Sequence, residues 1–370
     1  MVNDCIRIGL GENISSLKAL SIKSYHSLKG YNIPSYYKLC AISRASGILQ
    51  ARKKSIRRGI PTKSPYAVKN TLTSCYGFKV KDGALMIPLG HRRFLEIQLN
   101  RYTQNIISDK ALKIRSFTLT DSIVSICISK EVEESECISV AGVDRNLWNV
   151  TYGCHQEGFF TQYDLSKAVR IAETTREIVA SFKRKDARIR KKIASKYGLR
   201  RRNRVRQLIH DITKSIVETA YKRTEGIAIE DICGIRKLYC RGNFQGNIYR
   251  GMMNDWPFFE VKRQIEYKAN WLGVKVIHLT KGETRGTSTQ CPRCGEGLQF
   301  GRDRMSWCPS CKMWRDRDIV GALNISRKGW LRFDHSSKGG AGEAMRRNPT
   351  TTVIPGADVP KLSPVALRST

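Results

Sequence analysis

The sequence predicts an α/β fold with a mixed β-sheet, preceded by a β-rich part and a helical part. Apolar strand patterns alternate with amphipathic helix patterns over the second half of the chain. Two Cys-x-x-Cys pairs interrupt that alternation before its last helix. In addition, acidic residues stand at the ends of several of these strands and helices, which indicates chemistry at one edge of the sheet.

Residues 1–64 are predicted to form a strand at the start and then a helical region. Apolar residues recur at three-to-four spacing from about residue 10 to residue 58, which is typical of amphipathic helices. A basic cluster ends this region, and we expect it to bind nucleic acid. The cluster comprises Arg52, Lys53, Lys54, Arg57 and Arg58.

Residues 65–136 are predicted to form a small β-barrel or half-barrel. After Pro61 and Pro65 the apolar pattern becomes strand-like, and Lys81-Asp82-Gly83 has the composition of a hairpin turn. The predicted strands are residues 76–80, 84–88, 94–99 and 122–128.

The α/β unit, residues 137–333, begins with a strand that ends at Asp144, followed by its antiparallel partner at residues 148–153. A long helical stretch follows, and Gly198 is expected to divide it into a helical hairpin. Residues 164–223 of this stretch hold 19 Lys and Arg against 6 Asp and Glu, a local charge of +13. A charge run is often only a solvated helix face, but an excess of one sign favours contact with nucleic acid. The residues expected to make that contact are Lys183, Arg184, Arg188, Arg190, Lys191, Lys192, Arg200, Arg201, Arg202 and Arg204.

The rest of the unit alternates strands and helices. An apolar strand ends at Glu230 and Asp231, an amphipathic helix runs from Trp256 to Trp271, and a further strand ends at Leu279. The last helix starts near Asp318. Residues 334–370 are rich in Ser, Gly, Pro and Thr, and we expect a disordered tail.

Four cysteines predict a zinc site. Two Cys-x-x-Cys pairs separated by 13 residues can place four thiolates around one tetrahedral Zn²⁺. A redox dithiol is the alternative, but a single pair would suit it better. Because all four ligands are cysteine, the site is expected to be structural. The ligands are Cys291, Cys294, Cys308 and Cys311, and the eight other cysteines are expected to be reduced thiols.

Three acids at the ends of predicted elements suggest a second metal site. Asp144, Glu230 and Asp318 could converge, and carboxylate oxygens are the ligands that Mg²⁺ or Mn²⁺ prefers. Two such ions can activate water and stabilise a leaving oxygen in phosphodiester cleavage. Spacing alone does not choose between Glu230 and Asp231, or between Asp316 and Asp318. The rejected acid of each pair could be a helix cap or a salt-bridge partner.

The overall charge favours a polyanionic partner. The chain has 66 Lys and Arg against 32 Asp and Glu, a formal charge of +34. Nucleic acid is the first candidate and an anionic membrane surface the second. No apolar run is long enough to span a bilayer and the start does not resemble a signal peptide, so an intracellular location is expected.

At these motifs the chain resembles the TnpB family, RNA-guided nucleases that insertion sequences encode and that are related to type V CRISPR effectors. The resemblance extends over roughly residues 65–330, and its motifs occur in the family's order. The three RuvC motifs of the family resemble residues 140–144, 227–231 and 316–325, in that order. Residues 254–273 resemble the family's helix before the last strand, and residues 287–295 resemble the entry to its zinc ribbon.

The resemblance implies an RNase H-like (RuvC) nuclease domain in residues 137–333, with a zinc ribbon inserted at residues 287–315. It implies that residues 65–136 form a β-barrel wedge domain and residues 1–64 a helical recognition element, which together hold a guide RNA–DNA heteroduplex. By motif position, the catalytic acids and Mg²⁺ (or Mn²⁺) ligands are Asp144, Glu230 and Asp318.

The implied function is metal-dependent DNA cleavage by a two-metal-ion mechanism. The implied partners are a guide RNA derived from a transposon end and a double-stranded DNA target, with no membrane. The implied location is the cytoplasm of a prokaryote, at the nucleoid. Whether the protein acts as a monomer or a dimer stays open.

One residue departs from the family pattern. The family commonly has Asn two residues after the third acid, and this chain has Val320. Val320 favours one alternative to the nuclease, an RNA-guided DNA-binding protein that does not cleave. A second alternative is a transposase or transposition accessory protein that uses the acids for strand transfer.

Overall fold

The computed structural model describes residues 1–90, 92–182, 187–232, 235, 246–338 and 365–366. The chain divides into two units. The first contains residues 1–131 and 358–370, and the second contains residues 132–357.

The N-terminal part of the first unit is helical from its start, so the predicted N-terminal strand is wrong. Cys5, Ile6 and Gly9 are buried, and their spacing places them on one helix face. They pack in an apolar cluster with Leu20 and Leu49. The helices are α1 (Val2–Gly11), α2 (Leu17–Ser24) and α3 (Ser35–Arg57), with a 3₁₀ turn at His26–Leu28.

The β-rich part of the first unit contains two antiparallel sheets. Their orders are β1-β5-β6-β15 and β2-β3-β4. The barrel stays a prediction, because these pairings define two separate sheets. The strands are β1 (Thr71–Ser74), β2 (Lys79–Lys81), β3 (Ala84–Gly90), β4 (Arg93–Gln98), β5 (Lys113–Thr120), β6 (Ile123–Ser129) and β15 (Val365–Ala366).

The predicted hairpin turn is confirmed. Lys81 pairs with Ala84, so that Asp82 and Gly83 form a two-residue turn. Both have positive φ, 49° and 74°, which is what a type I′ hairpin turn requires. A short helix that the sequence analysis missed, α4 (Arg101–Ile107), follows β4 and begins at Asn100, whose Oδ1 accepts from Thr103 N at 2.8 Å.

The second unit is organised around the predicted mixed sheet. Its strand order is β11-β10-β7-β8-β9. Strand β10 is parallel to β7 and β11, whereas β8 is antiparallel to β7 and β9. The edge strand β9 was not predicted. The strands are β7 (Ser139–Arg145), β8 (Asn149–Cys154), β9 (Phe159–Asp164), β10 (Glu225–Glu230) and β11 (Val276–Leu279).

Helices cover both faces of this sheet. On one face, Val143 and Ile229 pack with Ile209 and Ile265 of the surrounding helices. On the other face, Val140 and Ala228 pack with Ile325 of the last helix. The helices are α5 (Ser166–Ser181), α6 (Ala187–Lys222), α7 (Asn247–Asp255), α8 (Phe258–Leu272) and α9 (Arg317–Lys338).

Helices α5 and α6 pack against each other, and the predicted helix break at Gly198 is wrong. Gly198 lies inside α6, and α5 ends at Ser181. A single interior glycine costs a helix only about 1 kcal/mol relative to alanine. The apolar packing of Ile209 and Ile216 against the sheet outweighs that cost, so α6 continues through the glycine.

The last part of the second unit contains the cysteine ribbon and α9. The ribbon strands are β12 (Gln299–Phe300), β13 (Met305–Cys308) and β14 (Met313–Asp316), paired antiparallel in that order. Helix α9 continues through Lys338, so residues 334–338 of the predicted tail are helical. The rest of the tail lies outside the described residues apart from β15. Within the described part of the chain, no helix has both the length and the apolar character needed to cross a membrane.

Candidate functional site

The pleat of the sheet places Asp144 and Glu230 side by side. On β7, Asp144 shares a face with Val140, and on the adjacent parallel strand β10, Glu230 shares a face with Ala228. Val140 and Ala228 both pack toward α9. Each acid stands one residue beyond the paired residues Val143 and Ile229. The two carboxylates therefore lie at the same edge and on the same face of the sheet.

The third acid, Asp318, lies at the start of α9 on that same face. Strand β14 of the ribbon ends at Asp316, whose Oδ1 accepts a hydrogen bond from Asp318 N at 2.7 Å. Asp316 therefore caps the helix, which is one of the roles that the sequence left open. The Asp318 side chain is buried, with 3% of its surface exposed.

The three acids line one cleft. Its volume is about 740 Å³, and it also contains Asn146, Arg304 and Arg317. Asp231, the residue after Glu230, also lines the cleft, and its carboxylate makes an ion pair with Lys262 of α8 at 3.3 Å. The structure thus brings together Asp144, Glu230 and Asp318, and gives Asp231 a salt-bridge role.

Burial makes the negative charges in this cleft costly. Burial and repulsion from Glu230 raise the pKa of Asp144 to about 7, although a hydrogen bond from Asn146 lowers it in part. Burial also raises the pKa of Glu230, an effect that the Arg145 guanidinium offsets in part. Partly desolvated carboxylates of this kind favour a bound cation, and their oxygens are suitable ligands for Mg²⁺ or Mn²⁺.

Two asparagines that the sequence analysis missed connect the acids. Asn146 Nδ2 donates to Asp144 Oδ2 at 2.9 Å, and Asn149 Nδ2 donates to Asp318 Oδ2 at 2.8 Å. Asn146 also donates to Asn149 Oδ1 at 3.3 Å. These residues lie at the β7–β8 turn, directly after the first acid, and that position is the signal that could have identified them. The network fixes the orientation of two of the three carboxylates.

Two arginines also escaped the sequence analysis. Arg304, from the turn before β13, forms an ion pair with Asp318. Arg145 is buried and donates to the main-chain oxygens of Glu230 at 2.5 Å and of Phe258 at 3.0 Å, which holds the end of β10 against the start of α8. The sequence around Arg145 and Arg304 has no motif that would distinguish these two arginines from the many arginines and lysines on the surface.

Glycines allow α9 to approach the strand that bears Asp144. A Cβ added at Gly142 would lie 2.1 Å from the main-chain oxygen of Ala322, so the helix contacts the strand backbone directly. A Cβ at Gly321 would lie 2.8 Å from Asp144 Oδ2. Side chains at either position would displace the helix or the carboxylate.

We expect Gly321→Ala to weaken Mg²⁺ binding at the acid cleft by about tenfold or more, because a displaced carboxylate no longer meets the near-octahedral geometry that Mg²⁺ demands. Folding should be preserved, since alanine favours a helix interior. Calorimetric titration with Mg²⁺ and thermal unfolding of the variant measure both effects. Gly47→Ala in α3, where an added Cβ meets nothing within 4 Å, is the matched control. Equal Mg²⁺ affinity of the two variants would contradict the expected contact.

The four ribbon cysteines form the expected cluster. Their sulfur atoms all lie within 4.8 Å of one another. Cys291 Sγ is 3.8 Å from Cys311 Sγ, and Cys294 Sγ is 3.4 Å from Cys308 Sγ. Tetrahedral bonds of about 2.3 Å to zinc would separate sulfurs by about 3.8 Å, so the cluster could hold Zn²⁺. The ten cysteines within the described residues are free thiols, and Cys233 and Cys240 lie outside them.

The predicted nucleic-acid contacts lie on two helices in different units. Near the end of α3, Lys53, Lys54, Arg57 and Arg58 are exposed and Arg52 is half-buried. On α6, Arg201 is half-buried and forms an ion pair with Asp255 at 2.8 Å. Lys183 and Arg184 lie outside the described residues, and only the backbone of Arg188 and Arg190, within α6, is described. The remaining predicted contacts are exposed on α6: Lys191, Lys192, Arg200, Arg202 and Arg204.

Comparison with known proteins gives related sequences. Residues 258–325 match the family model described as Cas12f1-like, TNB domain. TnpB-like protein MJ0751 of Methanocaldococcus jannaschii is 27% identical over 270 residues, which cover 68% of this chain and 92% of that protein. TnpB-like protein MJ1635 of the same organism is 24% identical over 313 residues, 82% of this chain and 70% of that protein. The CRISPR-associated endodeoxyribonuclease Cas12f1 of Sulfoacidibacillus thermotolerans is 28% identical over 121 residues, 32% of this chain and 25% of that protein.

A solved structure supports the fold. The cryo-EM structure of a Cas12f1–sgRNA–target DNA complex is similar with a TM-score of 0.55 and 13% identity, covering 88% of this chain and 80% of that one. The chain thus has a mixed α/β sheet, a four-cysteine cluster and a fold similar to that of a Cas12f1 effector. The matches to this family model and to the two TnpB-like proteins support a TnpB family protein.

Proposed function

We propose that the chain is an RNA-guided, metal-dependent DNA endonuclease whose second unit is a RuvC-like (RNase H-like) catalytic domain. The observation that carries this proposal is the meeting of Asp144, Glu230 and Asp318 at one cleft. Similarity to the TnpB-like proteins and to the Cas12f1-like family model supports it. A related Cas12f1 is named as an endodeoxyribonuclease, and the similar solved structure is a complex with sgRNA and target DNA.

The three acids would hold the catalytic cations. Bound Mg²⁺ or Mn²⁺ would supply activation of water and stabilisation of the leaving oxygen in phosphodiester hydrolysis. Asn146 and Asn149 hold the carboxylates of Asp144 and Asp318 in fixed orientations. Gly321 leaves room for the Asp144 carboxylate.

Arg304 is proposed to stabilise negative charge on the scissile phosphate. Its guanidinium reaches Asp318 and lines the same cleft. A guanidinium forms strong hydrogen bonds with phosphate oxygens, and its effect is larger in a partly desolvated site. Arg304 belongs to the ribbon. Zinc binding by the ribbon would therefore help to position the Arg304 guanidinium in the acid cleft.

The first unit and α6 are proposed to hold the nucleic acids. In this scheme, residues 1–64 are the recognition element and residues 65–136 the wedge domain, and base pairing with the guide selects the DNA. The exposed cations of α3 and α6 would contact the phosphate backbone, which favours RNA and DNA without reading sequence.

An RNA-guided DNA-binding protein that does not cleave is the second candidate, and Val320 favours it. However, Val320 is buried and lines a small cavity with the ribbon residues Cys291 and Cys308. The acid cleft contains the flanking residues Asp318 and Gly321 instead. We therefore expect the presence of Val320, where the family commonly has Asn, to affect the packing of the ribbon rather than the metal ligands.

The test uses the purified protein with its co-purified RNA, whose variable end is sequenced to design a matching duplex. Cleavage of that duplex with Mg²⁺, and none with a mismatched duplex, is expected. Binding of the matched duplex without cleavage would favour the second candidate. Strand-transfer products formed without RNA would favour a transposase and count against guidance.

The pKa of Asp144 predicts how pH affects the Mg²⁺ affinity. Burial and repulsion from Glu230 raise this pKa from 3.8 to about 7. In the metal-free protein, the stability that the protonated carboxyl contributes is fully present below its unfolded pKa of 3.8 and is lost as pH rises toward about 7. Mg²⁺ requires the ionised form, so its affinity should fall by up to about tenfold per pH unit below that value.

Isothermal titration of the apo-protein with Mg²⁺ at about pH 6 and about pH 8 measures this dependence. Asp144→Asn should remove most of it, because an amide does not titrate. A Mg²⁺ affinity that is the same at both pH values would contradict the assignment of Asp144 as a ligand.

A further inference from the structure

A second cavity lies between α5, α6 and the junction of α7 with α8. Its volume is about 340 Å³, and no residue that lines it also lines the acid cleft. Small apolar side chains form its walls, including Ala168, Ala172 and Val205. Binding sites for small molecules in proteins commonly measure about 300–1,000 Å³, so this cavity is large enough for one planar group.

One wall contains a buried hydrogen-bond donor. Trp256 is 5% exposed and lines the cavity, and its Nε1–H has no hydrogen-bond partner among the described residues. A buried donor without a partner costs about 1–3 kcal/mol. The indole would therefore favour a ligand that brings an acceptor, such as a ring nitrogen or carbonyl oxygen.

A second wall contains a glycine that packing does not require. Gly198 lies in the middle of α6 and lines the cavity. A Cβ added there would meet no atom within 4 Å. An interior glycine weakens a helix by about 1 kcal/mol relative to alanine. The missing side chain enlarges the cavity, which is consistent with a ligand occupying that space.

Arginines of α6 line the cavity. Arg201 and Arg206 form ion pairs with Asp255 at 2.8 Å and with Glu260 at 3.0 Å. Arg202 is exposed and lines the cavity as well. An apolar slot with an exposed guanidinium suits a flat base attached to a phosphate.

We propose that this cavity receives one unstacked nucleobase from a single-stranded stretch of RNA or DNA. Trp256 Nε1–H donates to the base, and Arg202 contacts the adjoining phosphate. The inference rests on the nucleic-acid function proposed above and adds a base-binding subsite to it. Because binding needs no cleavage, the subsite can be tested separately from the nuclease activity.

The first test observes Trp256 directly. The indole ¹H–¹⁵N signals of the full-length, zinc-loaded protein are recorded without Mg²⁺, and the signal that Trp256→Phe removes is assigned to Trp256. Short single-stranded RNA and DNA oligonucleotides are then added separately. The Trp256 signal is expected to shift with at least one of them and to stay unchanged with inorganic phosphate. A shift with RNA alone indicates the guide as the source of the base, and a shift with DNA alone indicates the target.

The second test fills the cavity. Gly198→Leu should weaken binding of the active oligonucleotide by about tenfold, because one base contact is lost. Gly47→Leu is the matched control, since Gly47 is also a mid-helix glycine with open space around it. Gly198→Ala is the smaller change should the leucine variant not fold. A Trp256 signal that no oligonucleotide shifts, or equal affinity of the Gly198 and Gly47 variants, would overturn the proposal, whether or not the protein cleaves DNA.

Discussion

Replacement of Asp144 by alanine is expected to abolish Mg²⁺-dependent cleavage of a guide-matched duplex, with a loss of at least about a thousandfold. The carboxylate lies at the centre of the acid cluster: it faces Glu230 on the next strand, shares an asparagine network with Asp318, and contacts Gly321 of α9. Removal of one acid leaves the remaining two without the geometry to hold the catalytic cations. Cleavage rates under single-turnover conditions measure the loss.

Binding must be measured alongside cleavage. Asp144→Ala should bind the matched duplex with unchanged affinity, because the basic surfaces of α3 and α6 are intact. Asp231→Asn is the matched control, since Asp231 is adjacent to Glu230 and lines the same cleft, but its carboxylate makes an ion pair with Lys262. Its cleavage should stay within a few-fold of wild type. A larger loss with Asp231→Asn than with Asp144→Ala would reverse the assignment of the two acids.

Replacement of Cys308 by serine is expected to release zinc and to reduce cleavage strongly, by about 100-fold or more. Cys308 is 3% exposed and ends β13, the central strand of the ribbon. Strand β14 pairs with β13 and leads directly into α9, where Asp318 begins the helix. Loss of the ribbon would therefore disturb Asp318 and Arg304 together, although no ligand of the acid site is changed.

Zinc content and cleavage are measured on the same preparation. Cys137→Ser is the control, because Cys137 is a half-buried thiol of the same unit outside the ribbon. It should keep both zinc and activity. A Cys308→Ser protein that contains no zinc and cleaves at the wild-type rate would show that the ribbon and the acid site are independent.

Local patterns were sufficient to predict most elements of the sheet. The strand ending at Asp144, its antiparallel partner, and the strands near Glu230 and Leu279 have apolar runs with clear ends. The turn at Asp82 and Gly83 was predictable because few residue pairs tolerate two consecutive positive φ angles. Strand β9 was missed because alternate positions are exposed and its residues are mixed in polarity.

The site needed long-range information that spacing does not contain. Glu230 is distinguished from Asp231 only once the face covered by α9 is known. Arg304 and Asn149 reach Asp318 from the ribbon and from the β7–β8 turn, across large separations in sequence. Gly198 was assigned to a turn because glycine commonly ends helices, whereas tertiary packing carries α6 through it.

The position of α9 also determines when the acid cluster can form during protein synthesis. Helix α9 follows the sheet strands and the ribbon in the chain, and its Ile325 packs on Val140 and Ala228. A ribosome therefore completes β7, β10 and the basic α6 before it makes Asp318. The nascent chain acquires its basic helices first and its third carboxylate last. Under vectorial folding, the proposed contact with RNA would therefore begin before the proposed catalytic site is complete.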